Sequence, residues 1–309
     1  MGKSLRSKYC AIILNYNDYE NTTKVALKLK DFKEIQKIII IDNNSPNGSY
    51  LLLKNYFWSF KKIDVVNSGR NGGYAFGNNF GIKYALSRYK PSGFFICNPD
   101  IGIEITAVKE IVDFFEKNAD FNIGIIGAIN KNGVSAWRLP SFKDYLMLSS
   151  FIISKFFRPR LEYKVNEFGN TGEYAKVDVV SGSFFFINAQ AIQEAGFFDE
   201  STFLYCEETI LAYKLKVKGY NNYLLSGVSF NHLEKGSTRN INLLKRYIIL
   251  EQSRLIYITK YLHSNIIKIL IFKLMVLFGT LEFLIWNTFK CVFKKVFLLI
   301  FKITKVMKK

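Results

Sequence analysis

Histidine is nearly missing from this 309-residue chain: only His232 and His263 occur, so no His-rich metal site can be built. The four cysteines (Cys10, Cys97, Cys206, Cys291) are far apart and form no C-x-x-C pair. That spacing argues against a zinc module and a disulfide scaffold, and fits a reducing compartment. No G-K-[S/T] follows any glycine cluster, which excludes a Walker loop. Acidic residues are scarce: 25 Asp and Glu stand against 43 Lys and Arg, a net charge of +18. Internal repeats and low-complexity runs are absent. The N-terminus has a basic start, but its apolar run is short and no small-residue cleavage site follows, so it reads as a first strand and not a signal peptide.

What is present is a chain able to bury a full core. A hydrophobic share of 49% and an aromatic share of 16% exclude disorder. Residues 265–309 carry nine lysines and one Glu, so +8 of the +18 is concentrated at the C-terminus. Over residues 9–129, short apolar runs alternate with helical patterns, which predicts an α/β sheet. Residues 37–41 (KIIII) read as a buried parallel strand, ending in the polar cluster Asp42-Asn43-Asn44-Ser45. Polar clusters at the C-terminal ends of parallel strands are where open α/β sheets bind ligands. Residues 176–187 read as a strand pair or a long strand interrupted at Ser181-Gly182-Ser183. Residues 142–173 mix aromatic and basic residues without a clear period.

Three stretches carry candidate chemistry. After the third strand, Gly73, Gly77 and Gly81 lie four apart and share one helix face. Close helix–sheet packing explains them as well as a diphosphate at the helix N-terminus does. After the fourth strand, Asn98 and Asp100 point to one side and could reach one hard cation, Mg²⁺ or Mn²⁺, with phosphates and water completing its shell. A Pro-containing turn with a capping Asp accounts for the same residues. In residues 196–220 four acids (Asp199, Glu200, Glu207, Glu208) fall among aromatics, and Glu207 and Glu208 open a helix. Carboxylates there suit the helix dipole; alternatively, one is a general base facing a hydroxyl.

In this order the elements resemble inverting glycosyltransferases of family 2, with the GT-A fold, especially the bacterial rhamnosyltransferase-like branch. The resemblance rests on Asn15-Tyr16-Asn17, Asp42-Asn43-Asn44-Ser45, Asn71-x-Gly73-Tyr74-Ala75-x-Gly77-Asn78-Asn79-x-Gly81 and Asn98-Pro99-Asp100. It continues through Ser181-Gly182-Ser183, Gly196-Phe197-Phe198-Asp199-Glu200, Phe203-Leu204-Tyr205-x-Glu207-Glu208, Gly219-Tyr220 and His232-x-x-x-Gly236-Ser237, and covers roughly residues 9–240. It implies a Rossmann-like mixed sheet flanked by helices over 1–240; residues 241–309 read separately, from their own pattern, as a helical, membrane-associated region. It further implies a nucleotide-sugar donor, UDP- or dTDP-linked, held by Asn15, Tyr16, Asn17, Asp42, Asn44, Asn71, Gly73, Asn79, Asn98, Asp100 and Gly182. Asp100 would bind Mg²⁺ or Mn²⁺, with His232 a further ligand. Glu208, the second of the acid pair, would be the base ahead of Glu207. Trp137, Arg138, Asp199 and Tyr205 would lie on the side of a glycan or lipid-linked acceptor. Two departures mark a divergent branch: Asn98 stands where the family often has Asp, and Ile210 and Lys214 stand where it often has Asp and Arg.

The implied activity is transfer with inversion, in cell-surface polysaccharide synthesis on the cytoplasmic side of a bacterial membrane. Residues 265–286 are apolar but broken by Lys268, Lys273 and Glu282, a poor spanning pattern. Lysines from 290 to 309 fall within an arc of roughly 140°, the pattern of an interfacial helix on anionic lipid. Packing on the catalytic domain, a homodimer contact or a spanning helix are the other readings. Two rivals remain for the whole chain: a nucleotide-sugar-binding pseudoenzyme, and a basic nucleic-acid-binding protein. Against the latter, the charge sits largely in an apolar tail and no recognition motif is present.

Overall fold

The computed structural model describes residues 9–104, 106–164, 173–232 and 242–306, with side chains through Lys290. Of the sequence motifs, Gly236 and Ser237 fall outside these residues, as do the side chains of the lysines beyond Lys290. In chain order the first elements are β1 (Tyr9–Asn15), α1 (Tyr19–Lys30), β2 (Ile35–Asp42), α2 (Ser49–Tyr56), β3 (Ile63–Asn67) and α3 (Gly73–Tyr89). Then come β4 (Gly93–Cys97), β5 (Ile101–Ile103), α4 (Ala107–Lys117), β6 (Ile123–Asn130), β7 (Ala136–Trp137), α5 (Phe142–Ser149) and α6 (Ile153–Phe157). The remainder is β8 (Tyr174–Val177), β9 (Val179–Val180), β10 (Phe184–Asn188), α7 (Ala189–Glu194), α8 (Glu207–Val217), β11 (Asn221–His232), α9 (Leu243–Ile256) and α10 (Ile266–Val306).

The chain divides into two compact units. The first comprises Met1–Leu139 and Leu161–Asn242, the second Pro140–Arg160 and Leu243–Lys309. Residues 140–160, most of them in the stretch without a clear period, group with the C-terminal helices.

In the first unit the strand order is β3-β2-β1-β4-β10-β6-β11-β5, with β8 also on β11. Strands β3, β2, β1 and β4 run parallel, and β10 runs antiparallel between β4 and β6. Isoleucines 38–41 of β2 are all fully buried, as an unbroken β-branched run in a doubly covered strand requires. Alternation sends Ile38 and Ile40 to a core shared with α1, α2 and α4, and Ile39 and Ile41 to one shared with α3, α7 and α8.

The glycine face of α3 answers the packing question. A Cβ on Gly77 would lie 2.3 Å from Leu14 Cδ1, and one on Gly81 would lie 2.7 Å from Ile12 Cγ2 and 2.9 Å from Ile41 Cγ1. The helix backbone rests on β1 and β2, and these two glycines serve that contact.

The second unit is helical. Phe272 and Phe283 of α10 are buried, and the Tyr247 hydroxyl donates to the Ser149 carbonyl at 2.6 Å. Arg254 and Glu251, both buried, pair at 2.5 Å, and Ser149 Oγ donates to Glu251 at 2.6 Å. Glu282, which interrupts the apolar run in the sequence, accepts from Ser150 Oγ at 2.8 Å and from the Phe151 N–H at 2.7 Å.

Replacing Gly81 with Ala gains up to about 1 kcal/mol of helix propensity and loses about 1–3 kcal/mol to overpacking against two fully buried isoleucines. We expect a net loss of stability, read as a lower urea midpoint with an unchanged slope; an equal or higher midpoint would show that the sheet gives way.

Candidate active site

The parallel strands carry their polar residues to one edge. Asn15 and Asp42 are register partners at the ends of β1 and β2, and Asn15 Nδ2 donates to Asp42 Oδ2 at 2.6 Å. The other Asp42 oxygen accepts the Ser45 N–H at 2.8 Å, and Asn15 Oδ1 accepts from Thr22 Oγ1 at 2.8 Å. Both side chains are fully buried. Asp42, expected against base and ribose, has each oxygen accepting a hydrogen bond inside the protein and fixes the turn that follows. Polar surface is offered instead by half-buried Tyr16 and exposed Asn17 and Asn44. The two asparagines sit at φ 60° and 57°, a region that Asn tolerates better than most residues.

The glycine loop is tied from both sides. Asn43, buried, donates to Asn71 Oδ1 at 3.2 Å and to the Gly73 carbonyl at 3.0 Å, while Ser68 Oγ donates to its Oδ1 at 3.0 Å. Asn71 Oδ1 also accepts the Gly73 N–H at 3.2 Å, and the Tyr74 N–H donates to the Phe203 carbonyl at 3.1 Å. A Cβ on Gly73, at φ +86°, would lie 2.1 Å from that carbonyl. These two N–H groups at the start of α3 hold protein. The glycine lets the 196–206 loop pass against the helix end.

That loop is over-determined. Asn79, buried, donates to the Phe198 carbonyl at 2.9 Å and to Glu200 at 2.8 Å, and accepts the Phe198 N–H at 3.0 Å. Asn79, expected on the donor side, thereby braces the loop. Asp199, expected on the acceptor side, accepts from the Ser201 N–H at 3.1 Å and from Ser201 Oγ at 2.7 Å, turning the chain. Lys214, at a position where the family often has Arg, donates to the carbonyls of Gly196 and Phe197. Tyr205 and Cys206 then hold φ 73° and 65° in succession, a costly geometry for such residues that delivers Glu207 and Glu208 to the first turn of α8.

The acid pair is split by burial. Glu207 is 2% exposed and its Oε1 has no hydrogen-bond partner. Burial, and then the charge of Glu208, push its carboxyl well above the ordinary 4.5, against N–H donation from its own backbone and that of Tyr205. Glu208 is half-buried. Burial raises its carboxyl as well, opposed by N–H donation from its own backbone and from Gly182. A Cβ on Gly182 would lie 2.2 Å from Glu208 Oε1, so only glycine lets the carboxylate rest there. Gly182 is in turn held by the Tyr74 hydroxyl, which donates to its carbonyl at 2.6 Å. Both carboxyls are thus pushed upward, Glu207 the more strongly by its deeper burial, and adjacent carboxyls in unequal surroundings differ in how readily they hold a proton.

Beside Gly182, Ser183 accepts the Asn98 N–H on its carbonyl at 2.8 Å, and its Oγ lies 2.6 Å from His232 Nε2. His232 Nδ1 in turn faces Asp100 Oδ2 at 3.6 Å. The hydroxyl on Nε2 fixes the ring, as metal-binding histidines are usually fixed, leaving Nδ1 and one carboxylate oxygen facing each other. No cluster of three or more His, Cys, Asp or Glu occurs among the described residues. A hard cation carrying a diphosphate asks for fewer protein ligands than that, so this donor pair fits one.

Of the residues expected on the acceptor side, Trp137 donates to Thr209 Oγ1 at 3.3 Å, one residue past Glu208. Arg138 lies 4.5 Å over the Tyr163 ring and donates to the Glu162 carbonyl, bracing the segment after β7. Asn43, Tyr74 and Ser183 were quoted in the motifs without a role of their own. An amide, a phenol and a hydroxyl inside glycine-rich strings were the available signal.

A mixed sheet with this edge is the architecture of GT-A glycosyltransferases. The solved mannosyltransferase PcManGT from Pyrobaculum calidifontis, in complex with GDP-Man and Mn²⁺, matches with a TM-score of 0.57 at 13% identity, over 85% of this chain and 66% of that one. GalNAc-T7 with UDP, GalNAc and Mn²⁺ matches with a TM-score of 0.55 at 15% identity, over 84% of this chain and 51% of that one. Residues 10–195 match the family described as Glycosyl transferase family 2, and the chain belongs to that family. Among curated relatives, the low-salt glycan biosynthesis hexosyltransferase Agl10 of Haloferax volcanii is 24% identical over 210 residues, 68% of this chain and 62% of its own length. Rhamnosyltransferase WbbL of Escherichia coli is 24% identical over 215 residues, 67% of this chain and 76% of its own. The chain thus spans a little under two thirds of Agl10 and of PcManGT.

A carboxyl that is higher in the folded than in the unfolded state stabilises the fold below its unfolded value and loses that contribution as pH rises towards the folded one. For Glu207 the loss begins near its ordinary 4.5. Glu207→Gln is therefore expected to gain stability over wild type as pH rises, by no more than about 1.4 kcal/mol per pH unit. Urea midpoints across that range check this; a difference that does not change with pH would show that Glu207 titrates normally.

Proposed function

We propose that this chain moves a sugar from a UDP- or dTDP-linked donor to a hydroxyl of a glycan or lipid-linked acceptor, with inversion at the anomeric carbon. The reaction would serve cell-surface polysaccharide synthesis at the cytoplasmic face of the membrane. The observation that carries the reading is Glu208, half-buried against Gly182 with the sealed carboxyl of Glu207 alongside. A carboxylate raised towards neutrality is a better base for an alcohol than an ordinary one. Names of relatives support the class: a hexosyltransferase and a rhamnosyltransferase by sequence, and nucleotide complexes with Mn²⁺ by fold.

In this mechanism Glu208 takes the proton of the acceptor hydroxyl as its oxygen forms the bond to the anomeric carbon. The bond from that carbon to the diphosphate oxygen breaks on the opposite side, and the nucleoside diphosphate departs with the electron pair. Glu207 stays neutral, which spares Glu208 a second negative charge alongside it. Tyr16, Asn17 and Asn44 are the open groups for the nucleotide, and Trp137 for the acceptor. Asp100 and His232 would hold Mg²⁺ or Mn²⁺, which when bound neutralises charge on the diphosphate.

Glu208→Gln is expected to lower transfer by on the order of 10²–10⁴-fold while nucleotide still protects the protein against thermal unfolding. Full activity in that variant removes Glu208 as the base. Asp100→Asn is expected to weaken Mn²⁺ binding on the order of 10–100-fold, measured by titration of the metal in the presence of UDP. Unchanged affinity would place the cation elsewhere.

A further inference from the structure

We propose that the helical unit lies along an anionic bilayer through a composite apolar face, to which α6 contributes alongside α10. This rests on the membrane location put forward above and names the surface that makes it.

On α10, Ile266, Leu270, Leu274, Leu277, Leu281 and Ile285 are each at least 50% exposed. With Ile267 and Phe289, also more than half exposed, they fall within an arc of roughly 140°. The stretch Ile266–Lys290 is 25 residues long, about 37 Å of helix, and its most apolar 18-residue window has a mean hydropathy of 2.1. The charges that interrupt it in sequence are diverted. Lys268 lies over the Phe142 ring, and Glu282 turns to the start of α6. Lys273 borders the arc, where a long stem can carry its ammonium to water.

The opposite side of α10 is occupied by protein. A Cβ on Gly279 would lie 2.0 Å from the Ser149 carbonyl, and behind α5 stands the Glu251–Arg254 pair. Were α10 to cross a bilayer, α5, α9 and that ion pair would enter the hydrocarbon with it, at a cost that charged groups rarely meet. A helix with one face packed and the other apolar is suited to lie flat.

Helix α6 continues the face. Phe151, just before it, meets buried Phe283 at 5.5 Å and half-exposed Trp286 at 6.4 Å between ring centroids, so α6 flanks α10 where its packed side gives way to the exposed arc. There Ile152 is 50% and Phe156 77% exposed. Lys155 Nζ stands 4.7 Å and Lys290 Nζ 5.6 Å from the centroid of Trp286. A half-exposed Trp between two lysines is what the headgroup level of a membrane selects, and seven of the twenty residues from Lys290 onward are lysine. That charge chooses anionic lipid over neutral lipid.

The test is flotation of the full chain with vesicles of phosphatidylglycerol and phosphatidylethanolamine, against vesicles of phosphatidylcholine alone. Wild type is expected to float with the anionic vesicles and to be released by alkaline carbonate. The pairs Ile152→Glu/Phe156→Glu and Leu274→Glu/Leu281→Glu, all at exposed positions, are each expected to cut the bound fraction at least tenfold with the thermal midpoint unchanged. If the α6 pair floats like wild type and only the α10 pair fails, the composite face is wrong while the membrane location stands. If wild type floats with neither vesicle, or forms a lipid-free dimer that the same substitutions dissolve, the location itself falls. Resistance to carbonate overturns the flat orientation.

Discussion

The carboxylate of Glu208 rests on a backbone that has no room for a single extra carbon. Gly182 gives its N–H to that carboxylate and its carbonyl to the Tyr74 hydroxyl. The main chain of Tyr74 meanwhile holds the Phe203 carbonyl, on the loop that delivers Glu208 itself. The acid pair is thereby fixed from both ends by one residue of α3. The glycines at 73 and 182 are places where backbone touches backbone or carboxylate, and side chains there would push the acid away.

Burial then does what sequence adjacency cannot. Two neighbouring glutamates share a helix start and a dipole, yet one is sealed with an unpartnered oxygen and the other lies half open against two N–H donors. The dipole favours charge on both, and desolvation overrides it most strongly for Glu207. The strained backbone at Tyr205 and Cys206 sets this difference, because it turns the first carboxyl of the helix inwards and leaves the second at the edge.

Much of the fold was legible. The isoleucine run of β2, the alternation of elements to residue 129 and the polar strand ends follow from period and turn chemistry, and the ordered motifs pointed to the family. Buried polar residues were the hard part. Asn79, Asp199 and Asp42 look in sequence like ligand-binding groups, and the structure uses them to hold loops, because an amide or carboxylate in a glycine-rich string has the same letters in either role. Residues 140–160 were unreadable for another reason. Their short helices are stabilised by contacts with chain more than a hundred residues away, such as Glu282, and carry no period of their own. The same long-range contact explains why Glu282 reads as a flaw in an apolar run and acts as an acceptor for three donors.

Residues 140–160 also leave and rejoin the sheet unit at touching points. The Arg138 N–H donates to the Leu161 carbonyl at 2.8 Å, and Trp137 bridges Glu162. The excursion is therefore a closed lobe whose stem is a rung of ordinary pairing. Because the two ends are already paired, the length of the excursion is a matter for the helical unit that it belongs to, and the sheet need not be reshaped when that length changes.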